Sequence, residues 1–369
     1  MATTDVLPRR RKIHFVYDQP AARVIFGVGA LDRLAEELQR LGARRVLVLA
    51  TPSKRSHAEE IARHLGSLAA GVHAEAAMHV PLETARAARN MASRLGADCC
   101  VAFGGGSTIG LSKAIALDSG LPIVAVPTTF AGSEMTPIYG LTEGGVKRTG
   151  RDPKVLPKTV IYDPALTLSL PPKVAGPSGI NAIAHCVEAL YAQDANPVIS
   201  LLAAEGIRVL ARSLPIVVRE SPNLDARSDA LYGAWLAGTS LGAVRMSIHH
   251  KLCHTLGGSF NLPHAEVHAV VLPYAAAFNR EAAPEAMRLA AEALGTPDAA
   301  RGLYELALSV GAPTALKAIG MPREGLDRAA KLATENPGYN PRPIDYPSIR
   351  QLLEDAYEGK HPAEVHCQI

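Results

Sequence analysis

Two histidine-containing segments in the second half of the chain combine residue types that could carry out chemistry. Asn181 and His185 are four residues apart, as are His250 and His254, and His264 follows further along the chain. Side chains four residues apart lie on one face of a helix, so each pair should point the same way. Together they predict a catalytic pocket of four imidazoles and one amide.

The predicted pocket resembles a metal site but lacks a carboxylate. Imidazole suits zinc, whereas a hard or borderline cation in such a pocket usually also takes an Asp or Glu ligand. Asn181 offers only a neutral amide oxygen, which brings no charge to offset a dication. We therefore expect no essential metal, although three histidines alone are able to bind zinc.

Two segments rich in glycine and hydroxyl groups indicate a nucleotide site. Gly104-Gly105-Gly106-Ser107 lies between a predicted strand at 99–103 and a helix, and Thr128-Thr129 follows a second predicted strand within 122–127. Glycine lets the backbone approach a ligand closely, and a helix N-terminus offers N–H groups to an anion. Two such loops after neighbouring parallel strands favour binding of a dinucleotide diphosphate, although neither has a GxGxxG or P-loop pattern.

The elements that would position these groups change character near residue 165. Before it, strands such as 45–50 alternate with helices such as 55–67, a pattern that favours a parallel sheet. After Pro171-Pro172, helical segments dominate, at 178–193, 198–219, 226–258, 281–294, 300–311 and 323–334. We predict an α/β dinucleotide-binding domain with a parallel sheet over 1–165 and an all-α catalytic domain over 166–369.

Composition narrows the class of protein. Among 369 residues, 38 basic and 35 acidic side chains give a net charge of only +3, without the basic excess typical of nucleic-acid binders. Five cysteines, an odd number with two adjacent, favour a reducing compartment over a disulfide framework. We find no signal peptide and no apolar run near the roughly 20 residues that span a bilayer. We expect a cytoplasmic protein that binds neither nucleic acid nor membrane.

Five motifs in a fixed order resemble those of the iron-containing alcohol dehydrogenases. They are GGGS, PTTFAGSE, DPKVLPKTVIYDP, SGINAIAHCVEAL and HHKLCHTLGGSFNLPHA. The phrases RVIFGVGALDRL and RDPKVLPKTVIYDPALTLSLP are similar to the branch of that family that reduces maleylacetate. The resemblance implies a nucleotide domain, a helical domain, a cleft between them, and NADH or NADPH as cofactor. We also expect a homodimer.

The resemblance assigns positions in the catalytic pocket. Metal-dependent members use an Asp, a His four residues later, and two His fourteen residues apart. His185, His250 and His264 match the three histidines, but Asn181 stands at the Asp position. His254 matches a further histidine that lies beside the nicotinamide and the substrate in the family.

The resemblance also assigns cofactor contacts. The matching positions are Gly105, Gly106, Ser107, Thr128, Thr129 and Lys147. Many members have, after the strand at 45–50, an Asp that holds the ribose 2′-hydroxyl and repels NADPH. Thr51 stands near that place, so we expect NADPH to be usable as well as NADH.

The implied substrate, maleylacetate, is a conjugated keto diacid, and its reduction builds negative charge on the ketone oxygen. A histidine could stabilise that charge and another could donate the proton, with His250 and His254 the leading candidates. Asn181 and His185 would bind substrate oxygens. Lys251 and Arg245 could bind the carboxylates, or could simply lie on a solvated helix surface.

Three other functions remain open at this stage. The first is a metal-dependent alcohol or aldehyde oxidoreductase on the same fold. The second is a lyase that resembles dehydroquinate synthase and uses NAD transiently. The third is a binding protein without enzymatic activity, which the many polar residues expected in the cleft make the weakest of the three.

Overall fold

The computed structural model describes residues 15–17, 22–144 and 146–362, with only the backbone for 146 and 147. Four cysteines in this part of the chain are buried free thiols, and Cys367 lies outside it. Among the described helices, none combines the length and the apolar character that crossing a membrane requires.

The first half of the chain forms a parallel sheet covered by helices, which confirms the predicted α/β class. Its strands, in chain order, are β1 (Arg23–Phe26), β2 (Val46–Leu49), β3 (Ala69–His73), β4 (Cys99–Gly104), β5 (Ile123–Pro127), β6 (Ile138–Glu143), β7 (Val146–Arg151) and β8 (Thr159–Tyr162). Six of them pair in parallel in the order β1-β8-β5-β4-β2-β3. The flanking helices are α1 (Leu34–Arg40), α2 (Arg55–Leu65), α3 (Leu82–Arg94) and α4 (Gly106–Ser119). β2, β4 and β5 are buried throughout, as expected for strands with helices on both faces.

The remaining two strands form an antiparallel hairpin that the sequence did not predict. β6 and β7 pair from Ile138 with Arg151 to Glu143 with Val146. The segment VKRTGR has few apolar residues, so it carries almost no strand signal of its own. At the end of this hairpin the Arg151 guanidinium donates hydrogen bonds to the carbonyl oxygens of Gly242 and Val244. The hairpin therefore reaches from the sheet half to the helical half.

The second half is helical, as predicted. Its helices are α5 (Pro172–Tyr191), α6 (Pro197–Arg219), α7 (Leu224–Ala243), α8 (Ile248–Phe260), α9 (His264–Asn279), α10 (Pro284–Leu294), α11 (Ala299–Ser309), α12 (Leu326–Thr334) and α13 (Tyr346–Glu358). α5 has a proline in its first turn, where the missing N–H costs nothing, and is buried from Ala175 to its end. It packs against α6, α7 and α9 at the centre of this half.

Two helix predictions for this half were wrong. The segment 226–258 is not continuous, because residues 244–247 interrupt it between α7 and α8. Side chains from other parts of the chain stabilise this interruption. Asp194 accepts a hydrogen bond from the backbone amide of Arg245, and Glu188 accepts one from the backbone amide of Ser247. α9 was missed altogether, because it is buried on all sides and contains Pro273, so it shows neither an amphipathic period nor an uninterrupted helical pattern.

The two halves touch at a pair of glycines. Gly132, in the loop after β5, has φ +82°, and a Cβ built on it would lie 2.9 Å from the Gly238 Cα in α7. In return, a Cβ on Gly238 would lie 2.3 Å from the Gly132 carbonyl oxygen. No side chain fits between these backbones, so the loop that follows β5 is pressed directly against the helical half.

Candidate active site

A cavity of about 840 Å³ lies between the sheet half and the helical half. The carboxyl ends of β2, β4 and β5 meet at one edge of the sheet, and the loops that follow them form one wall. α5, α8 and α9 form the other wall. A cleft at the carboxyl ends of parallel strands is the usual ligand site of such sheets.

The glycine segment has the geometry of a diphosphate cradle. α4 begins at Gly106, so its free N-terminal amides border the cavity. A Cβ on Gly105 would lie 2.8 Å from Thr129 Cγ2, whereas a Cβ on Gly106 would meet no atom within 4 Å. Gly105 is therefore needed for packing, and Gly106 leaves open the space that a ligand needs. The Thr128 amide donates to the Gly104 carbonyl oxygen at 3.1 Å, which joins the two loops.

Two more of the predicted cofactor residues border the same cavity. They are Ser107 and Thr51, and Thr51 is followed there by Ser53 and Lys54. The Lys54 ammonium donates to Ser169 Oγ at 2.8 Å. The side chain of Lys147 lies outside the described residues, so its predicted cofactor contact stays a prediction.

One face of α5 carries Asn181, His185 and a third polar residue that the sequence analysis missed. Glu188 is fully buried and accepts hydrogen bonds from His250 Nδ1 at 2.6 Å and from the amides of Ser247 and His249 at 3.0 and 2.8 Å. The signal was present, because Glu188 lies three residues after His185 and therefore on the same helix face.

Glu188 places a fixed negative charge behind the cavity. Burial raises the pKa of its carboxyl, but the nearby His250 ring, its hydrogen bond and the donated backbone N–H groups outweigh burial, and the net pKa is lowered. Since the carboxylate accepts from His250 Nδ1, the Nε2 atom of that ring is the one left for the cavity.

The predicted histidines do converge, together with His268, which lines the same cavity, and with His249 behind it. His185, His250, His254 and His264 all line the cavity, and so does the unpredicted His268, four residues after His264 in α9. The distances between ring centroids are 5.1 Å for His185–His250, 6.1 Å for His250–His254, 5.0 Å for His250–His268, 4.4 Å for His264–His268 and 4.8 Å for His249–His268.

Several buried polar atoms in this cluster have no hydrogen-bond partner among the described residues. They are Asn181 Oδ1, His185 Nδ1, His250 Nε2 and both ring nitrogens of His268. Burial, reinforced by neighbouring histidines, lowers the pKa of His185 and His268 well below the usual value and that of His249 to about 4. These three rings are therefore neutral at pH 7. Because unpaired buried polar atoms are costly, their grouping indicates a site for a polar ligand.

The two cations predicted for the substrate differ in position. Arg245 lines the cavity, with its side chain 83% exposed and 3.9 Å from Asp194. Lys251 does not line it; its ammonium donates to the Glu335 carbonyl oxygen at 3.0 Å. The assignment of Lys251 is corrected accordingly, since consecutive helix positions point in different directions and His250 takes the direction of the cavity.

The structure adds two cations that the sequence analysis did not select. Arg151, from the hairpin, lines the cavity opposite α8. Lys113, from α4, is fully buried and donates to the carbonyl oxygens of Ser133, Thr136 and Ile138, and its burial lowers its pKa to about 7. Lys113 therefore holds the loop after β5, whereas Arg151 borders the cavity while its guanidinium also donates to the carbonyl oxygens of Gly242 and Val244.

In the family that this sequence resembles, four side chains hold iron, but the residues at the matching positions here do not suit that metal. Asn181, His185, His250 and His264 offer one amide and three imidazoles, without an anionic ligand. The buried carboxylate nearest to them, Glu188, is already used by His250 Nδ1 and two backbone amides. Iron as a hard or borderline cation prefers at least one oxygen anion in such a set. The donor chemistry therefore disagrees with the family pattern.

Comparison with known proteins gives a consistent picture. The family model for iron-containing alcohol dehydrogenases matches residues 21–164, and the model for the C-terminal part of that family matches residues 176–357. A maleylacetate reductase from Burkholderia cepacia is 58% identical over 95% of this chain and 99% of its own, and one from Sphingobium indicum is 55% identical over the same shares. The crystal structure of a maleylacetate reductase from Agrobacterium tumefaciens superposes with a TM-score of 0.90 at 52% identity, covering 95% of this chain and 99% of the other.

Proposed function

Because the chain belongs to the iron-containing alcohol dehydrogenase family, we propose that it uses NADH or NADPH to reduce maleylacetate to 3-oxoadipate in the catabolism of aromatic compounds. The observation that carries this proposal is the similarity, over nearly the full length, to maleylacetate reductases. Two features of the site support it: the open cradle at Gly106 and the anion-free donor set around Asn181. We propose that the reaction requires no metal.

The cradle and the histidine cluster border one cavity, so a dinucleotide held at one end can deliver its reactive end to the other. Gly105, Gly106 and Ser107 would bind the diphosphate through backbone N–H groups, and Thr128 and Thr129 would support it from the neighbouring loop. When bound, the reduced nicotinamide supplies the hydride that adds to the carbon–carbon double bond.

We assign to His250 the stabilisation of the negative charge that then appears on the ketone oxygen. Its Nδ1 is committed to Glu188, so its Nε2 carries a hydrogen only when the ring is an imidazolium. In that form the ring would donate from Nε2 to the enolate oxygen, and a charge-assisted hydrogen bond of this kind stabilises a developing oxyanion strongly. The reaction finishes when the carbon between the ketone and the reduced carbon takes a proton, for which His254 is the neighbouring candidate.

The two carboxylates of the substrate need cationic partners. Arg151 and Arg245 line the cavity from opposite halves of the chain, and a guanidinium binds a carboxylate through two parallel hydrogen bonds. Asn181 Oδ1 and His185 Nδ1, both without a partner among the described residues, complete the wall that faces the substrate. His264 lines the same cavity, with its ring centroid 4.4 Å from that of His268, and would shape the nicotinamide end.

The decisive experiment mixes purified, exhaustively chelated protein with NADH and maleylacetate and follows cofactor absorbance. We expect cofactor oxidation, with 3-oxoadipate identified by mass spectrometry. Simple alcohols with NAD⁺ serve as the control for the alcohol dehydrogenase alternative. If chelation abolishes the reaction and zinc or iron restores it, the metal-free mechanism is wrong. If maleylacetate is not reduced under either condition, the proposed substrate is wrong.

The homodimer belongs to the same proposal. Among the described strands, β1 lies at one edge of the sheet, and Phe26 and Val28 near its end expose 39% and 59% of their surface. An unpaired edge with apolar side chains is a surface that a second copy could cover. Light scattering after size exclusion should give twice the chain mass of 38.9 kDa. A chain-sized mass at every concentration would contradict the dimer.

A further inference from the structure

Three buried histidines form a group that shares only His250 with the positions that hold metal in the family this sequence resembles. His249 and His250 come from α8 and His268 from α9, and one ligand nitrogen from each lies within 4.8 Å of the others. The three ring centroids are 4.8 to 5.2 Å apart. Neither His185 nor His264 belongs to this group of mutually close nitrogens among the described residues.

The hydrogen bonds of the group leave lone pairs available. His249 Nε2 lies 3.2 Å from the His268 carbonyl oxygen, to which it can only donate, so its Nδ1 keeps the lone pair when the ring is neutral. That Nδ1 faces His250 Nδ1 at 3.4 Å, whose own hydrogen goes to Glu188. His250 Nδ1 donates to Glu188, so its Nε2 keeps the lone pair in the neutral ring. Histidine ligands in metal sites are usually fixed in this way, by a carbonyl oxygen or a carboxylate on the other nitrogen.

His268 is the observation that points to a ligand. Its side chain is fully buried, and neither ring nitrogen has a partner among the described residues. A buried imidazole without a partner destabilises the fold unless something binds it. The Glu188 carboxylate behind His250 also supplies the negative charge that Asn181 does not offer to a cation.

We propose that His249, His250 and His268 bind a divalent cation of the zinc class, at a site displaced by one turn of α9 from the His264 position. Imidazole suits zinc, copper and nickel, and three histidines with an open fourth position are an established zinc arrangement. Binding would require the three rings to rotate, because zinc–nitrogen bonds are about 2.0–2.1 Å long. The cation is inhibitory: it occupies His250 Nε2, the atom needed at the ketone oxygen, and this part alone rests on the proposed function.

Binding is tested without substrate, by titrating metal-free protein with Zn²⁺ in competition with a chromophoric chelator. His268→Asn and His249→Gln should weaken zinc affinity at least about tenfold to 100-fold. His254→Asn and His264→Asn are matched controls that remove a cavity histidine outside the group, and they should change affinity much less. Circular dichroism and the thermal midpoint establish that each variant is folded, and the visible absorption of bound Co²⁺ reports the ligand set independently.

The results separate three outcomes. If His185→Asn or His264→Asn weakens binding as much as His268→Asn, the cation sits at the family positions and the proposed site is wrong. If wild-type protein binds zinc no more tightly than His268→Asn, no such site exists. In the chelated wild type, added zinc should slow maleylacetate reduction along the same titration, and an unchanged rate at full occupancy overturns the inhibitory role. Failure to reduce maleylacetate at all would refute the proposed function and leave the binding result intact.

Discussion

Replacing Glu188 with Gln tests whether the carboxylate behind His250 contributes to catalysis. The substitution keeps the size and one acceptor oxygen but removes the charge and the acceptor that faces His250 Nδ1 at 2.6 Å. The amide nitrogen of Gln could then donate to Nδ1, which would favour the neutral ring over the imidazolium. Glu188 is not among the residues that line the cavity, so it would act as a positioning residue through His250.

The expected magnitude follows from the bond that is lost. A hydrogen bond to a charged group contributes about 1.5–3 kcal/mol. Since each 1.36 kcal/mol is a factor of ten in rate, kcat should fall roughly 10- to 150-fold if the bond matters fully in the transition state. The KM for NADH should hardly change, because the diphosphate cradle lies in the other half of the chain.

The assay is steady-state reduction of maleylacetate by the chelated enzyme across pH 5 to 9. Tyr191→Phe is the matched control, because the Tyr191 hydroxyl contacts the same carboxylate at 3.4 Å without altering its charge. We expect this control to stay within about fivefold of wild type, because a hydrogen bond as long as 3.4 Å contributes roughly 1 kcal/mol or less. If Glu188→Gln is no slower than the control, or loses activity only because its thermal midpoint collapses, the argument for a catalytic imidazolium at His250 fails.

Four further predictions concern the cradle, the amide, the hairpin and pH. Gly106→Val should raise the KM for NADH strongly and leave the thermal midpoint unchanged. Gly105→Val should also lower the midpoint, because only this substitution meets protein atoms. Equal effects of the two variants on both readouts would contradict the cradle. Asn181→Asp should bind zinc more tightly in chelator competition and reduce the dianionic substrate more slowly, since it adds a negative charge; unchanged values would mean that the amide is not decisive. Arg151→Met should raise the KM for maleylacetate about tenfold or more, the scale of a lost charged hydrogen bond, and an unaltered KM would exclude Arg151 as a carboxylate partner. Burial lowers the pKa of three histidines, that of His249 to about 4, so the unfolded chain binds protons before the folded chain does as the pH falls below about 6.5. The free energy of unfolding, measured with urea, should therefore drop by up to about 1.4 kcal/mol per pH unit for each of them. A flat profile from pH 7 to 5 would contradict their burial as neutral rings.

Local patterns predicted those parts of the fold that local chemistry determines. The strand before Gly104 and the helix face shared by Asn181 and His185 follow from apolar runs and four-residue spacing, and both are present. His268 and Glu188 were within reach of the same reasoning, because each lies at helical spacing from a residue already selected. They were missed because α9 has no amphipathic period to identify it as a helix, and because no carboxylate was sought behind the cluster.

Other features depend on contacts that no local pattern contains. The break before α8 exists because carboxylates from distant parts of the chain accept its backbone amides. Arg151 reaches the cavity only because a hairpin with almost no strand signal folds across to the helical half. Lys251, by contrast, was chosen for being next to His250 in sequence, and the rotation between consecutive helix residues carried it away from the cavity.

The contact between Gly132 and Gly238 limits how this enzyme could be recombined with its relatives. A hybrid that joins the sheet half of one protein to the helical half of another must bring two bare backbones together at this point. One Cβ on either side would clash with the facing backbone and push the two halves apart at this contact. Domain exchange should therefore succeed only between parents that both have glycine here, and a library of hybrids could be screened in advance on these two positions alone.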